Sequence, residues 1–194
     1  QGQKSIPAVR HKELTTVLAN TLRLIIATFG VLALVWLWGA GQQWPWRLLA
    51  IAGIAPAMLG LLLWLVFLLA RWGNRKDPAP TATTGTWTRA FACELVVAIR
   101  VFFWRQPFRS NCLPDKWNSR CGSLHGVIFL HGFVCNRGLW MPWMEELQAE
   151  GRPCVALNLE PVFGSIDGYA PQIDAAVEAM FRTTGLAPVL VCHS

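Results

Sequence analysis

Acidic side chains are scarce in this 194-residue chain, with 11 Asp and Glu against 17 Lys and Arg and a formal net charge of +6. Charged residues of both signs make up only 14%, where an ordinary soluble domain carries about 25%. Together with 54% hydrophobic residues, this excludes a disordered chain, which needs low hydrophobicity and high charge. It also argues against a simple soluble domain. Six cysteines are present (Cys93, Cys112, Cys121, Cys135, Cys154 and Cys192), but no CxxC pair, so neither a zinc nor a dithiol redox motif is supported. A Gly-rich phosphate loop is missing, as is any internal repeat or low-complexity segment. Tyr is nearly absent, with one residue, whereas there are 11 Trp.

The charge is unevenly spread. Residues 1–124 hold 14 basic and 4 acidic side chains, net +10, and residues 125–194 hold 3 basic and 7 acidic, net −4. The basic half contains two uncharged runs, residues 24–41 (LIIATFGVLALVWLWGAG) and 48–70 (LLAIAGIAPAMLGLLLWLVFLLA). A helix crosses a bilayer core with about 20 apolar residues, in a range of roughly 17–25, so both runs are expected to span. Pro56 lies within the second, where bilayer helices tolerate it. The short link at 42–47 makes the pair an antiparallel hairpin. Trp36, Trp38, Trp44 and Trp46 gather at that end and Trp72 at the other, as indoles favour the headgroup layer. No small-residue cleavage motif follows the first run, which argues against a signal peptide.

Lys4, Arg10, Lys12 and Arg23 precede the first span; Arg71, Arg75, Lys76 and Arg89 follow the second; Arg47 alone lies between. Basic flanks stay cytoplasmic, so both termini are expected in the cytoplasm, across a bacterial inner membrane. The basic residues then report topology and anionic lipid rather than nucleic acid. An assembly role for the hairpin, through the small residues Gly53, Ala57 and Gly60, is a further reading. Residues 74–88 have the Pro, Thr and Gly content of a linker. Residues 91–104 (FACELVVAIRVFFW) are too short to span comfortably and read as an interfacial or connecting helix. Residues 105–122 read as irregular. The domain plan is thus an anchor at 1–73, a connector at 74–123 and an α/β unit at 124–194.

From Gly126 the pattern alternates. Strands are expected at 127–130, 154–159 and 188–192, and helices at 140–150 and 171–183. Pro142 suits a first turn, and Gly151 and Gly185 act as stops. Ile173, Ala176, Val177, Met180 and Phe181 make the apolar face of the second helix. Strands alternating with amphipathic helices mean an α/β fold with a parallel sheet. Cys154 and Cys192, on core strands, are expected to be buried thiols. Cys112 and Cys121 would pair only in an oxidising compartment, against which the basic flanks argue.

The last strand runs into Cys192-His193-Ser194. That is the first half of a nucleophile elbow, G-x-S-x-G, in which a sharp strand-to-helix turn exposes the Ser hydroxyl. Cys192 occupies the position where Gly is usual, and a Ser after a strand also serves as a helix cap. Upstream, His131-Gly132-Phe133 follows the first strand. In elbow hydrolases one oxyanion donor comes from such a loop and the other from the residue after the nucleophile.

Residues 124–194, with VIFLHGFVCNRGLW, VALNLEP and YAPQIDAAVEAMFRTTGLAPVLVCHS, resemble the opening part of an α/β-hydrolase of the bacterial esterase and lipase type. The resemblance implies Ser194 as nucleophile, Phe133 N–H as an oxyanion donor, and His131 and Gly132 as the oxyanion loop. It implies ester or lipid hydrolysis with no cofactor or metal. The acid and the His of such a triad follow the Ser in sequence, so a chain stopping at Ser194 is expected to be inactive, a fragment cut within a catalytic motif. Its sheet is expected to show an apolar edge. Asp167 in the loop after the second strand, and Asn136 and Trp140 after the oxyanion loop, are weaker candidates; a cap for the first and packing for the others are the competing explanations. A non-catalytic membrane protein using the same fold as a binding or scaffold module is the alternative.

Overall fold

A computed structural model describes residues 17–38, 44–78, 81–118 and 124–193. The chain divides into two compact units. One runs Ile25–Phe103; the other joins residues up to Leu24 with those from Trp104 onward.

The helical unit holds most of α1 (Val17–Trp38) and all of α2 (Trp44–Gly73) and α3 (Thr84–Arg100). Among the described residues two helical stretches, Val17–Trp38 and Pro56–Lys76, are long and apolar enough to cross a membrane, with mean hydropathies of 1.9 and 1.7. They overlap the two apolar runs: the first begins before residues 24–41 and stops short of their end, and the second covers the later part of 48–70 and runs past it. The link at 39–43 lies outside the described residues. Leu32, Leu34, Val35, Leu61, Leu62, Leu65 and Leu69 are exposed, which is not how the core helix of a folded domain looks.

The linker expected at 74–88 is shorter than its composition suggests. α3 begins inside it, because the Thr83 hydroxyl accepts the Thr86 N–H at 3.2 Å and caps the helix. Packing on α2 completes the case: the Phe67 ring meets Trp87 and Phe91 edge-on, with centroids 5.5 and 5.6 Å apart. Gly60 of α2 faces Leu95, so α3 runs antiparallel to α2, and one of the three small residues of α2 has a packing role. Gly53 meets nothing within 4 Å among the described residues.

Residues 101–109, in part expected as irregular, continue the helix as π turns containing Pro107. Proline removes an N–H and clashes with the carbonyl four residues back; the wider π turn accommodates this. From Trp104 onward the chain belongs to the sheet-bearing unit. There Gln106 is fully buried, and Lys116, further along, makes a two-way backbone bridge to Cys154.

In the α/β unit, β1 (Val127–Leu130), β2 (Cys154–Leu157) and β3 (Val189–Cys192) form a parallel sheet in the order β2-β1-β3. Leu130 pairs with Leu157 on one side and with Cys192 on the other. A parallel crossover is right-handed. Since β2 and β3 flank β1 on opposite sides, α4 (Met141–Ala149) and α5 (Ala170–Thr184) must lie on opposite faces. The core shows this in its alternation. Val127 and Phe129 pack with Trp140 and Met144 on the α4 face, and Ile128 and Leu130 with Ala176 and Met180 on the α5 face. Pro142 sits in the first turn of α4, Gly151 takes φ 83°, and Gly185 ends α5 at φ 72°. Only Gly meets such angles without strain.

Two expected core positions are surface positions. Cys192 is exposed, because α5 covers β1 and β2 but not β3, the edge strand, where Val189 and Leu190 are also exposed. Phe181 is half exposed, on the flank of α5 beyond the contact face formed by Ile173, Ala176, Val177 and Met180.

Candidate functional site

The strand order reverses at β1. In open α/β sheets a crevice forms at such a switch point, outside the carboxyl ends of the strands. The loops that leave those ends carry most of the sequence-expected residues. His193 N–H donates to the Leu130 carbonyl at 3.0 Å, so the β1–β3 pairing extends to the residue before Ser194 and sets that position beside His131-Gly132. Ser194 itself lies outside the described residues.

His131 ties two loops together. The Leu159 N–H donates to its Nε2 at 3.0 Å, and its Nδ1 lies 3.0 Å from the Gly132 carbonyl. A nitrogen that accepts carries no proton, so the ring is neutral and Nδ1–H donates to Gly132. Burial pushes the His131 pKa down, against the opposing effect of the Gly132 carbonyl. The imidazole therefore holds the loop after β1 against the loop after β2 and has no nitrogen left for proton transfer.

Gly132 starts a turn in which Cys135 N–H reaches back to its carbonyl at 3.3 Å. Within this turn Val134 has φ 56°, a left-handed conformation that is strained for a β-branched residue. Such outliers gather at functional sites. Phe133 is 72% exposed, and among the described residues no acceptor engages its N–H. Its ring meets that of Phe163 edge-on, with centroids 5.6 Å apart.

A buried polar network braces this loop from below. Arg137 and Asp115, each side chain 7% exposed, pair at 2.6 Å. Asp115 also accepts the Ala156 N–H at 3.1 Å, Arg137 donates to the Leu113 carbonyl, and Asn158 accepts the Arg137 N–H at 2.9 Å. Asn136 donates its N–H to the Gln106 side chain and its amide to the Gln106 carbonyl, and accepts from Gly138. Asn136 and Trp140 are thus structural residues: the first is saturated with hydrogen bonds, and the second is stacked on Phe129 with centroids 4.8 Å apart. Sequence reasoning missed Asp115, Arg137, Asn158 and Gln106, which lie in loops or in the stretch read as irregular and carry no periodic signal. The one visible hint was Asn136-Arg137-Gly138, polar residues directly after an apolar run.

The other candidates sit apart. Asp167 is exposed in a short turn after β2, where its carbonyl accepts from Ala170 at the start of α5. His125 precedes β1 and bonds the Ala187 carbonyl at 2.7 Å. That places it at the opposite end of the sheet, roughly 20 Å from the β1 loop at about 3.3 Å per residue. The His193 ring packs edge-on against Trp140, with centroids 6.3 Å apart. His11 lies outside the described residues. Burial raises the Cys135 and Cys154 thiols above their ordinary pKa, so neither is an activated nucleophile. Among the described residues no group of His, Cys, Asp and Glu is arranged to hold a metal ion.

Comparison of the chain with protein-family models, with curated proteins and with solved structures finds no match.

Proposed function

We propose that this chain carries the first part of a membrane-anchored serine hydrolase of the esterase or lipase type. The supporting observation is the β1–β3 register, which continues as far as the His193 N–H on the Leu130 carbonyl, directly before the His131-Gly132-Phe133 turn. In this reading the Ser194 hydroxyl attacks an ester carbonyl. The Phe133 N–H donates to the developing oxyanion, where one well-placed donor is worth about 10²–10³ in rate. In elbow hydrolases the second donor is the N–H of the residue after the nucleophile. His131, with both nitrogens engaged, positions the turn and is not the base. His125 and His193 are also turned to other partners, so no histidine among residues 124–193 stands as the base.

The two apolar helices anchor the unit in a bacterial inner membrane, with both ends cytoplasmic by their basic flanks. The substrate is an ester or lipid reached from the bilayer. The protein, in its membrane, is expected to be labelled by a fluorophosphonate probe at Ser194. Ser194→Ala abolishes that labelling. Labelling that survives Ser194→Ala refutes the assignment. A second reading, a non-catalytic binding module, draws on Cys192 in place of the usual Gly; an unlabelled protein favours it.

A further inference from the structure

Where α2 gives way to α3, the helical unit opens a cleft of about 650 Å3. Its wall is graded. Phe67 and Ala70 of α2 and Trp87 of α3 form an apolar part, and Arg71, Asn74 and Arg75 a polar, cationic part. Phe67, Arg71 and Arg75 follow one another at four-residue spacing, so the helix presents apolar and then cationic groups on one face. Arg75, on the cleft wall, has its guanidinium over the Trp72 ring, 4.9 Å from the centroid, a contact that restrains it. The capped N-terminus of the 17-residue α3 begins beside it, after Thr81 and Ala82 on the cleft wall, and adds a positive helix end. Asp77 on the rim is already engaged.

We propose that this cleft binds an anionic phospholipid, with its phosphate between Arg71 and Arg75 and an acyl chain along Phe67, Ala70 and Trp87. The inference rests on the reading of α2 as a membrane span, which sets the cleft at headgroup depth. Two features favour a lipid over a soluble phosphate. The apolar wall would be idle with a free ion, and it continues directly into the exposed apolar surface of Val66, Leu65 and Leu62. The two guanidinium charges favour a headgroup of net negative charge over a zwitterionic one, whose choline cation they repel.

The test uses the full chain, delipidated in detergent and titrated with phosphatidylglycerol, phosphatidylcholine or inorganic phosphate under native mass spectrometry. Phosphatidylglycerol is expected to bind in preference to phosphatidylcholine, and inorganic phosphate to leave it bound. Arg71→Gln with Arg75→Gln is expected to weaken phosphatidylglycerol about 30-fold, at roughly fivefold per cation, with unchanged helix content by circular dichroism. If the double variant does not fold, Arg71→Gln alone is expected to cost about fivefold. Arg71→Lys with Arg75→Lys is expected to retain most of the preference. Equal phosphatidylglycerol affinity in wild type and folded Gln variants overturns the proposal, as does displacement by inorganic phosphate. Alkaline carbonate extraction of cell membranes separates the two claims: release of the wild-type chain refutes the span itself, whereas retention with unchanged lipid affinity refutes only the cleft.

Discussion

Replacing Asp115 with Ala removes one carboxylate from beneath the β1 loop and leaves two donors stranded. Arg137 Nη2 loses a partner at 2.6 Å in a site where both side chains are 7% exposed, and the Ala156 N–H loses its acceptor at 3.1 Å. Breaking a buried ion pair from one side costs about 3–5 kcal/mol, because the remaining charge is uncompensated. Leaving a buried N–H unsatisfied adds about 1–3 kcal/mol. Some of this is recovered as the guanidinium keeps the Leu113 carbonyl, 3.0 Å away, so a net loss of about 3–5 kcal/mol is expected. At roughly 2–4 °C per kcal/mol for a chain of this size, the thermal midpoint falls by about 6–20 °C. The assay is thermal unfolding of the full chain in detergent, followed by near-ultraviolet circular dichroism of the Trp residues packed on β1. The double variant Asp115→Leu with Arg137→Met is expected to be more stable than Asp115→Ala, because two apolar groups leave no orphan charge. An Asp115→Ala midpoint within about 2 °C of wild type refutes the reasoning, and so does a double variant less stable than the single one.

Protonation of His131 is expected to loosen the same loop. Its folded pKa lies below the ordinary value of about 6.5. As pH falls through 6.5 the unfolded chain binds the proton first, so this contribution to stability is present above that value and lost below it. Unfolding midpoints measured between about pH 7 and pH 5 are expected to fall in wild type and to fall less in His131→Gln; equal slopes contradict the assignment. Gly126→Ala tests the packing before β1. The added Cβ would enter the space of the Met180 side chain, itself fully buried, and the overpacking is expected to cost about 1–3 kcal/mol. Chemical denaturation measures the loss, and a Gly126→Ala midpoint equal to wild type contradicts the close packing.

The elements of the α/β unit were readable from residue order. β1, α4, α5 and β3 fall within a residue or two of their expected bounds, because apolar period, Pro142 and the two positive-φ glycines are local signals. The two apolar helices were readable for the same reason. The beginning of α3 was not, since Thr and Gly around Thr83 look like linker until Phe67 is seen to pack on Trp87. Nor was the membership of residues 104–116 in the sheet-bearing unit, where Gln106, Asp115 and Lys116 contribute single contacts with no repeat to announce them. For the candidate site, His131, Gly132 and Phe133 were legible as a motif after a strand. The partners that brace them were not.

By itself, then, the sequence determined what depends on neighbours along the chain: which stretches are helices or strands, which runs are apolar enough to span a bilayer, and where turns demand glycine. Tertiary structure alone decided what depends on distance in space. It set β1 at the centre and β3 at the edge, which exposed Cys192 against expectation. It also brought His193 beside His131, 62 positions earlier. The physical reason is that backbone propensity and hydrophobic period act over a few residues, whereas burial and hydrogen-bond partners are shared among segments that meet only after the crossovers have closed.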